Sequence, residues 1–283
     1  MTNDTGKGLR DRVAIVTGAA SGMGRVMARS LAQAGARIGA VDISKAGLAE
    51  LAAEPVFGGH AITVVTDVSH AEDCRRAVDQ VLAAFGTIDI LINCAGVSMG
   101  PAANNKQGRV KFFEADPEGW QRVVSINALG AFLMARFAVA PMVAKGWGRI
   151  INVTTSYDTM LAEGLSAYGA SKSALEASTV SWSKDLAGTG VTVNVLVPGG
   201  PVETPGFFPP GAPRPPRILQ ADVMAVPIVW LASPQSDGVT GCRFIARDWD
   251  QQLPAAEAAN KCRTLAAWSE LAAAATKARG VAI

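Results

Sequence analysis

The chain is short of charge, aromatics, cysteine and histidine. Of its 283 residues only 18% are charged and 6% aromatic, with four cysteines and two histidines. Each shortage excludes something. With 26 basic and 24 acidic side chains the net charge is +2, and no run of Lys or Arg forms a stripe, so there is no electrostatic footprint for nucleic acid. Scarce aromatics argue against stacking platforms for single strands. Cys74, Cys94, Cys242 and Cys262 are widely spaced, and with His60 and His70 they offer no usual metal-ligand spacing. A reducing cytoplasm and no structural metal are expected. The opening MTNDTGKGLRDR lacks the apolar core of a secretory signal. No run reaches the roughly 18 apolar residues that span a bilayer. The longest, ALGAFLMARFAVAPMVA, is interrupted by Arg136 and Pro141, so no membrane partner is expected.

What is abundant is apolar residues, at 49%, enough for a large buried core. Strand-like runs occur at 12–17, 37–42, 61–68, 88–94, 149–155, 191–197 and, more weakly, 242–246. Several are nearly continuous Val, Ile and Leu, as in parallel strands buried on both faces. Ala-rich helical segments alternate with them at 22–34, 44–53, 71–84, 117–145, 166–186 and 220–231. The alternation predicts right-handed crossovers and an α/β fold: a doubly wound, mostly parallel, seven-stranded Rossmann-type sheet with helices on both faces. The expected organisation is a dinucleotide-binding and catalytic domain over 1–250. A helical extension of the same domain follows over 251–283, its segment 255–279 read as one helix with Leu265, Trp268, Leu271 and Ala275 on one stripe.

Two motifs carry chemistry. TGAASGMG, at 17–24, follows a strand and opens a helix. Gly18 allows a tight turn, Gly22 lets backbone approach a pyrophosphate, and Gly24 permits close packing of helix on strand. The helix N-terminus, with Ser21 and Met23 beside it, offers free N–H groups to phosphates. Eighteen residues past Gly24, Asp42 ends the second strand. A carboxylate there accepts both ribose hydroxyls and repels a 2′-phosphate, selecting NAD over NADP. Arg25 is the nearby cation, read as a solvated first-turn residue. In YGASK, at 168–172, Tyr168 and Lys172 share one helix face. An ammonium beside a phenol favours phenolate and moves its pKa toward the working pH. Thr155 ends the fifth strand, with Ser156 beside it, and either hydroxyl could polarise a carbonyl.

The order of these motifs resembles the short-chain dehydrogenase/reductase family, from about residue 9 to 246. The match includes TGAASGMG, Asp67-Val68, NCAG at 93–96, Asn127 in SINALGAF, YGASK, and PGGPVET at 198–204. The resemblance implies an NAD-dependent enzyme interconverting a secondary alcohol and a ketone. By position it makes Tyr168 the acid/base, Lys172 its support and a ribose ligand, Asn127 part of a proton relay, and Thr155, or alternatively Ser156, the polarising hydroxyl. Asp67 and Val68 become adenine contacts. Asn93, Ala95 and Gly96 lie beside the cofactor, as do Pro198 and Gly199, with Val202 and Thr204 at the nicotinamide. A homotetramer built on helices 117–145 and 166–186 is implied too. An NADPH-dependent ketoreductase and a non-catalytic dinucleotide-binding regulator are the alternatives. The chain departs from the family at Thr155 and Cys94, and in ARDWD at 246–250.

Two loops leave the strand ends where substrate is expected, 98–116 and the Pro-rich 198–216. The second is read as a stiff lid with Phe207 or Phe208 facing substrate. Lys106, Arg109, Lys111, Arg214 and Arg217 suggest an acidic group on the substrate, or simply solubility.

Overall fold

The computed structural model describes residues 8–103, 108–204, 214 and 216–279. Eight strands form one sheet: β1 (Val13–Thr17), β2 (Arg37–Asp42), β3 (Ala61–Val65), β4 (Ile90–Asn93), β5 (Gly148–Val153), β6 (Val191–Val197), β7 (Cys242–Ile245) and β8 (Arg263–Leu265). Their order is β3-β2-β1-β4-β5-β6-β7-β8, with β1 to β7 parallel. The strands β1, β4, β5 and β6 are buried along their whole length, because helices cover both faces. Strand order reverses between β1 and β4, and such a switch point opens a crevice at the strands' carboxyl ends.

The helices α1 (Gly22–Gln33), α2 (Lys45–Ala52), α3 (Ala71–Phe85), α8 (Ser166–Asp185) and α9 (Ala225–Ala232) lie close to their expected bounds. Short α4 (Gly100–Ala103) and α7 (Tyr157–Met160) add to them. The segment read as one helix over 117–145 is α5 (Pro117–Val124) and α6 (Gly130–Lys145), joined by a π-helical turn at Ser125–Leu129. By length and composition this continuous segment could cross a membrane. In the fold, its Leu133, Met134, Ala138 and Met142 are packed into the core against the sheet and α3.

The eighth strand corrects the expected seven. The segment 255–279 is not one helix but α10 (Ala255–Lys261), β8, and α11 (Ser269–Arg279). The free edge of β7 presents backbone donors and acceptors that a helix cannot pair. The chain there satisfies them as an antiparallel strand, with Arg243 opposite Thr264. Ala258, Ala259, Cys262 and Ala266 enter the core, whereas Leu265, Trp268 and Leu271 stay 49%, 47% and 69% exposed. The apolar stripe proposed for a single helix therefore does not pack on this chain.

Candidate active site

The switch point carries a cleft of about 280 Å³. Gly18, Ser21, Gly22, Met23, Gly24, Asp42, Asp67, Val68, Ala95, Gly96 and Thr204 line it, all expected from sequence. Ile43, Thr66, Cys94, Val97, Arg122 and Ile126 line it too. Cys94 and Val97 flank residues already singled out; Arg122 and Ile126 come from α5 and its π turn and carried no local signal.

The glycine turn is fixed by close approach. Gly22 has φ +52, and a Cβ there would stand 2.8 Å from Thr204 Cγ2. A Cβ on Gly24 would run into the Gly18 carbonyl oxygen. Thr17 ties the turn to the next strand: its Oγ1 accepts the N–H groups of Cys94 and Ala95, both at 3.0 Å. The Ser21 side chain makes no capping bond to α1, and no acidic residue occupies the first turn, so the helix start is open to an anion. Thr204 Oγ1 is buried in the cleft wall without a hydrogen-bond partner. An orphaned hydroxyl and an open helix start lining one cleft are what a polar, phosphate-bearing ligand would satisfy. These residues fit a dinucleotide.

Asp42 is held at the end of β2 by Ala20 N–H at 3.0 Å and Ser44 N–H at 2.8 Å. Arg25 is not a free cation: its Nε donates to Glu54 Oε1 at 2.7 Å and its Nη1 to Glu50 at 3.2 Å. Asp67 accepts from Ser69 N–H at 3.0 Å and Ser69 Oγ at 2.6 Å. Burial raises its pKa, but the Ser69 hydrogen bonds and nearby Arg122 outweigh this and hold the carboxyl below its usual range.

A second group lies where β5 ends against α8. Thr155 stands beside the Tyr168 phenol, and its side chain opposes the upward shift of the phenol's pKa. Ser156 is committed elsewhere: its Oγ caps α7 through Thr159 N–H at 3.3 Å and pairs with Thr159 Oγ1 at 2.8 Å. Asn127 is fully buried on the π turn. Its Oδ1 accepts Val97 N–H at 2.8 Å, and its Nδ2 donates to Val97 O at 2.9 Å and Ser171 Oγ at 3.0 Å. This two-way bond to the chain after β4 accompanies the wider turn and clamps it to α8.

The expected lowering of Tyr168 by Lys172 is not what the folded chain shows. Burial pushes Tyr168 up to about 12, opposed by the Thr155 side chain. Burial pushes Lys172 down to about 8. The Lys172 ammonium is directed at the Val153 carbonyl, 2.9 Å away, so desolvation governs both groups.

Several expected cofactor residues stand outside the cleft lining. Asn93 Nδ2 donates to Asn152 Oδ1 at 2.9 Å and to Ala131 O at 3.3 Å, while its Oδ1 is buried without a partner. Pro198 accepts Arg247 N–H through its carbonyl, and Gly199 is packed against Arg247 and Ile245. Val202 bridges to Leu219. These three shape the chain leading to Thr204 rather than the cleft wall. Tyr168 and Lys172 belong to the group at β5 and α8.

Three of the five loop cations have neighbours within the chain. Arg109 donates to Glu163 O at 2.7 Å, and Arg214 pairs with Glu203 at 2.8 Å. Lys111 lies over the Phe113 ring. Arg109 and Arg214 are thereby engaged within the chain. Lys106, Phe207 and Phe208 lie outside the described residues, as does most of the Pro-rich segment.

Comparison with known proteins agrees with this geometry. The short chain dehydrogenase family matches residues 12–207. A 3-oxoacyl-acyl-carrier-protein reductase of Thermotoga maritima is 32% identical over 248 residues, covering 82% of this chain and 95% of that one. A 2,5-dichloro-2,5-cyclohexadiene-1,4-diol dehydrogenase of Sphingobium indicum is 31% identical over 241 residues, covering 85% and 90%. The crystal structure of a 3-ketoacyl-(acyl-carrier-protein) reductase from Brucella melitensis, complexed with NADH, superposes with a TM-score of 0.70 at 31% identity, covering 82% and 95%. The chain belongs to the short-chain dehydrogenase family. It is an oxidoreductase for alcohol- and ketone-type substrates that uses a nicotinamide dinucleotide.

Proposed function

We propose that the protein is an NAD-dependent dehydrogenase interconverting a secondary alcohol and a ketone, with Tyr168 as acid/base. The observation that carries this reading is the gathering of Tyr168, Lys172 and Thr155 where β5 ends against α8, beside a cleft that Asp42 and the open start of α1 line. Bound NAD would supply the hydride acceptor and a positively charged ring that favours phenolate. In oxidation, Tyr168 takes the substrate hydroxyl proton and Thr155 holds the substrate oxygen. Lys172 supports the phenolate and binds a ribose hydroxyl. Asn127, fixed to Val97, orders the path by which the proton leaves. Gly18, Ser21, Gly22, Met23 and Gly24 hold the pyrophosphate, Asp42 the adenosine ribose, and Asp67 and Val68 the adenine. Thr204 donates its unpaired hydroxyl at the nicotinamide end.

Preference for NAD is supported by Asp42 and by the capture of Arg25 by Glu54. The reading further takes the enzyme to be cytoplasmic and homo-oligomeric. Exposed Leu129, Phe132 and Val143 along the α5–α6 rod supply apolar surface for a second copy. The test is a panel of secondary alcohols with NAD and NADP side by side, run with wild type and Tyr168→Phe. Turnover with NAD that vanishes in the variant supports the reading; turnover confined to NADP favours a ketoreductase instead.

A further inference from the structure

A buried ion pair stands directly behind Thr155. Glu176, on α8, is 0% exposed, and Arg243, on β7, is 4% exposed. Arg243 Nη1 donates to Glu176 Oε2 at 2.7 Å, and Arg243 Nη2 donates to the backbone carbonyl of Thr155, also at 2.7 Å. The carboxylate is saturated from other sides. Thr154 Oγ1 donates to Oε2 at 2.7 Å, and Ala267 N–H donates to Oε1 at 3.2 Å. The Tyr157 hydroxyl lies 3.3 Å from Oε1 and 2.9 Å from the Ala267 carbonyl, and its ring sits 4.3 Å from the Arg243 guanidinium carbon.

Such a pair is a poor way to gain stability. Well-packed apolar residues of the same volume often hold a core equally well. What they cannot supply is a forked donor with one arm on a fixed carboxylate and the other on a chosen carbonyl. Tyr168, Lys172 and Glu176 are spaced four apart on α8 and share its face. Two of them face the site, and the third seats the arginine that holds the strand end opposite. A carbonyl gripped at 2.7 Å fixes the Thr155 peptide plane, and with it the direction of the side chain that meets the phenol.

We propose that Arg243, seated by Glu176, is a positioning residue that sets the Thr155 hydroxyl against Tyr168. The proposal rests on the roles given above to Thr155 and Tyr168. Arg243→Lys keeps the charge facing Glu176 but loses the planar fork that sets two donors in fixed directions toward Glu176 and the Thr155 carbonyl. The chain has two tyrosines, so tyrosine labelled with carbon-13 at Cζ gives two resonances. Tyr168→Phe assigns them, and Thr155→Val gives the Tyr168 shift without its hydroxyl partner. In Arg243→Lys the Tyr168 resonance is expected to move toward its Thr155→Val position. With the alcohol that wild type oxidises fastest in a panel of cyclic and acyclic secondary alcohols, kcat should fall roughly tenfold while KM for NAD holds, as for a misplaced reacting group. Should Arg243→Lys not fold, the double variant Arg243→Met, Glu176→Gln removes both buried charges together and is read in the same way. A folded variant whose Tyr168 resonance stays at the wild-type position overturns the proposal, even if its melting temperature falls, because a merely structural pair would do that. Turnover retained in Tyr168→Phe would instead overturn the acid/base reading, and the substrate-free resonance comparison would still judge the clamp.

Discussion

Arg25 Nε lies 2.7 Å from Glu54 Oε1, so a cation beside the glycine turn is held on α2's side of the fold and not in the cleft. Asp42, by contrast, stands in the cleft wall. A 2′-phosphate would meet a carboxylate with Arg25 already occupied. kcat/KM is expected to favour NAD over NADP by about ten- to a hundredfold, or about 1.4–2.7 kcal/mol. Asp42→Ala should narrow the gap. Asp42→Asn should do so more gently, because it keeps an acceptor for the Ala20 N–H. Equal or better use of NADP by wild type would end the NAD assignment.

Tyr168→Phe removes the phenol oxygen and keeps the ring. Turnover should drop by a factor on the order of 10² to 10⁴ while NAD still binds by titration. A variant retaining more than about a tenth of wild-type activity would show that another group carries the proton. Thr155→Val should depress kcat strongly. Ser156→Ala removes a helix cap and should cost about 1 kcal/mol of stability with little effect on kcat. The reverse pattern would move the polarising role to Ser156.

The parts of this protein that sequence exposes are those written locally. The glycine turn, Asp42 and the Tyr168–Lys172 spacing each sit within one element or one turn, so their cleft or catalytic placement follows from chain order. β8 was hidden because Arg263 to Leu265 takes strand form only against the free edge of β7; its Ala-rich flanks speak for helix. The π turn was hidden because Asn127 needs Val97, thirty residues away, to hold it open. Arg122 and Ile126 reach the cleft through that same turn. The seat of Arg243 joins strand β7, helix α8 and the C-terminal extension, and no spacing in the chain brings those together.

Deleting the chain after Asp250 tests what the extension does. It strips β8 from β7, takes Ala258, Ala259, Cys262 and Ala266 out of the core, and removes the Ala267 N–H from Glu176. The expected result is a lower melting temperature together with reduced turnover. Trp268→Ser, at an exposed position, should change monomer stability by no more than about 0.5 kcal/mol. If Trp268→Ser instead shifts the mass in solution, the exposed Trp268 and Leu271 surface meets a second copy. A truncated enzyme of unchanged stability, activity and mass would show the extension to be dispensable.

Lys172 supplies a prediction whose sign is set by its burial. Among the described residues no carboxylate pairs with it, and its pKa falls from 10.5 to about 8 in the folded chain. Between about pH 8 and 10.5 the unfolded chain binds the proton more tightly than the folded one, so stability rises with pH across that window. Below it both states are protonated and the whole penalty remains, roughly 3 kcal/mol at pH 7. Lys172→Met removes the penalty and loses the bond to Val153, worth about 1 kcal/mol. The variant should therefore be more stable than wild type by roughly 2 kcal/mol at pH 7, and the gain should largely vanish by about pH 10. Tyr168, pushed up to about 12, acts in the opposite sense and only above pH 10, where the unfolded phenol ionises first, so it does not obscure the window. Urea midpoints of both proteins at pH 7 and pH 10 measure this directly. A Lys172→Met protein that is less stable at pH 7, or whose gain persists unchanged at pH 10, would mean that the ammonium is adequately solvated where it stands. An inactive variant that is nonetheless more stable at pH 7 is the expected mark of a lysine kept for chemistry at a cost to the fold.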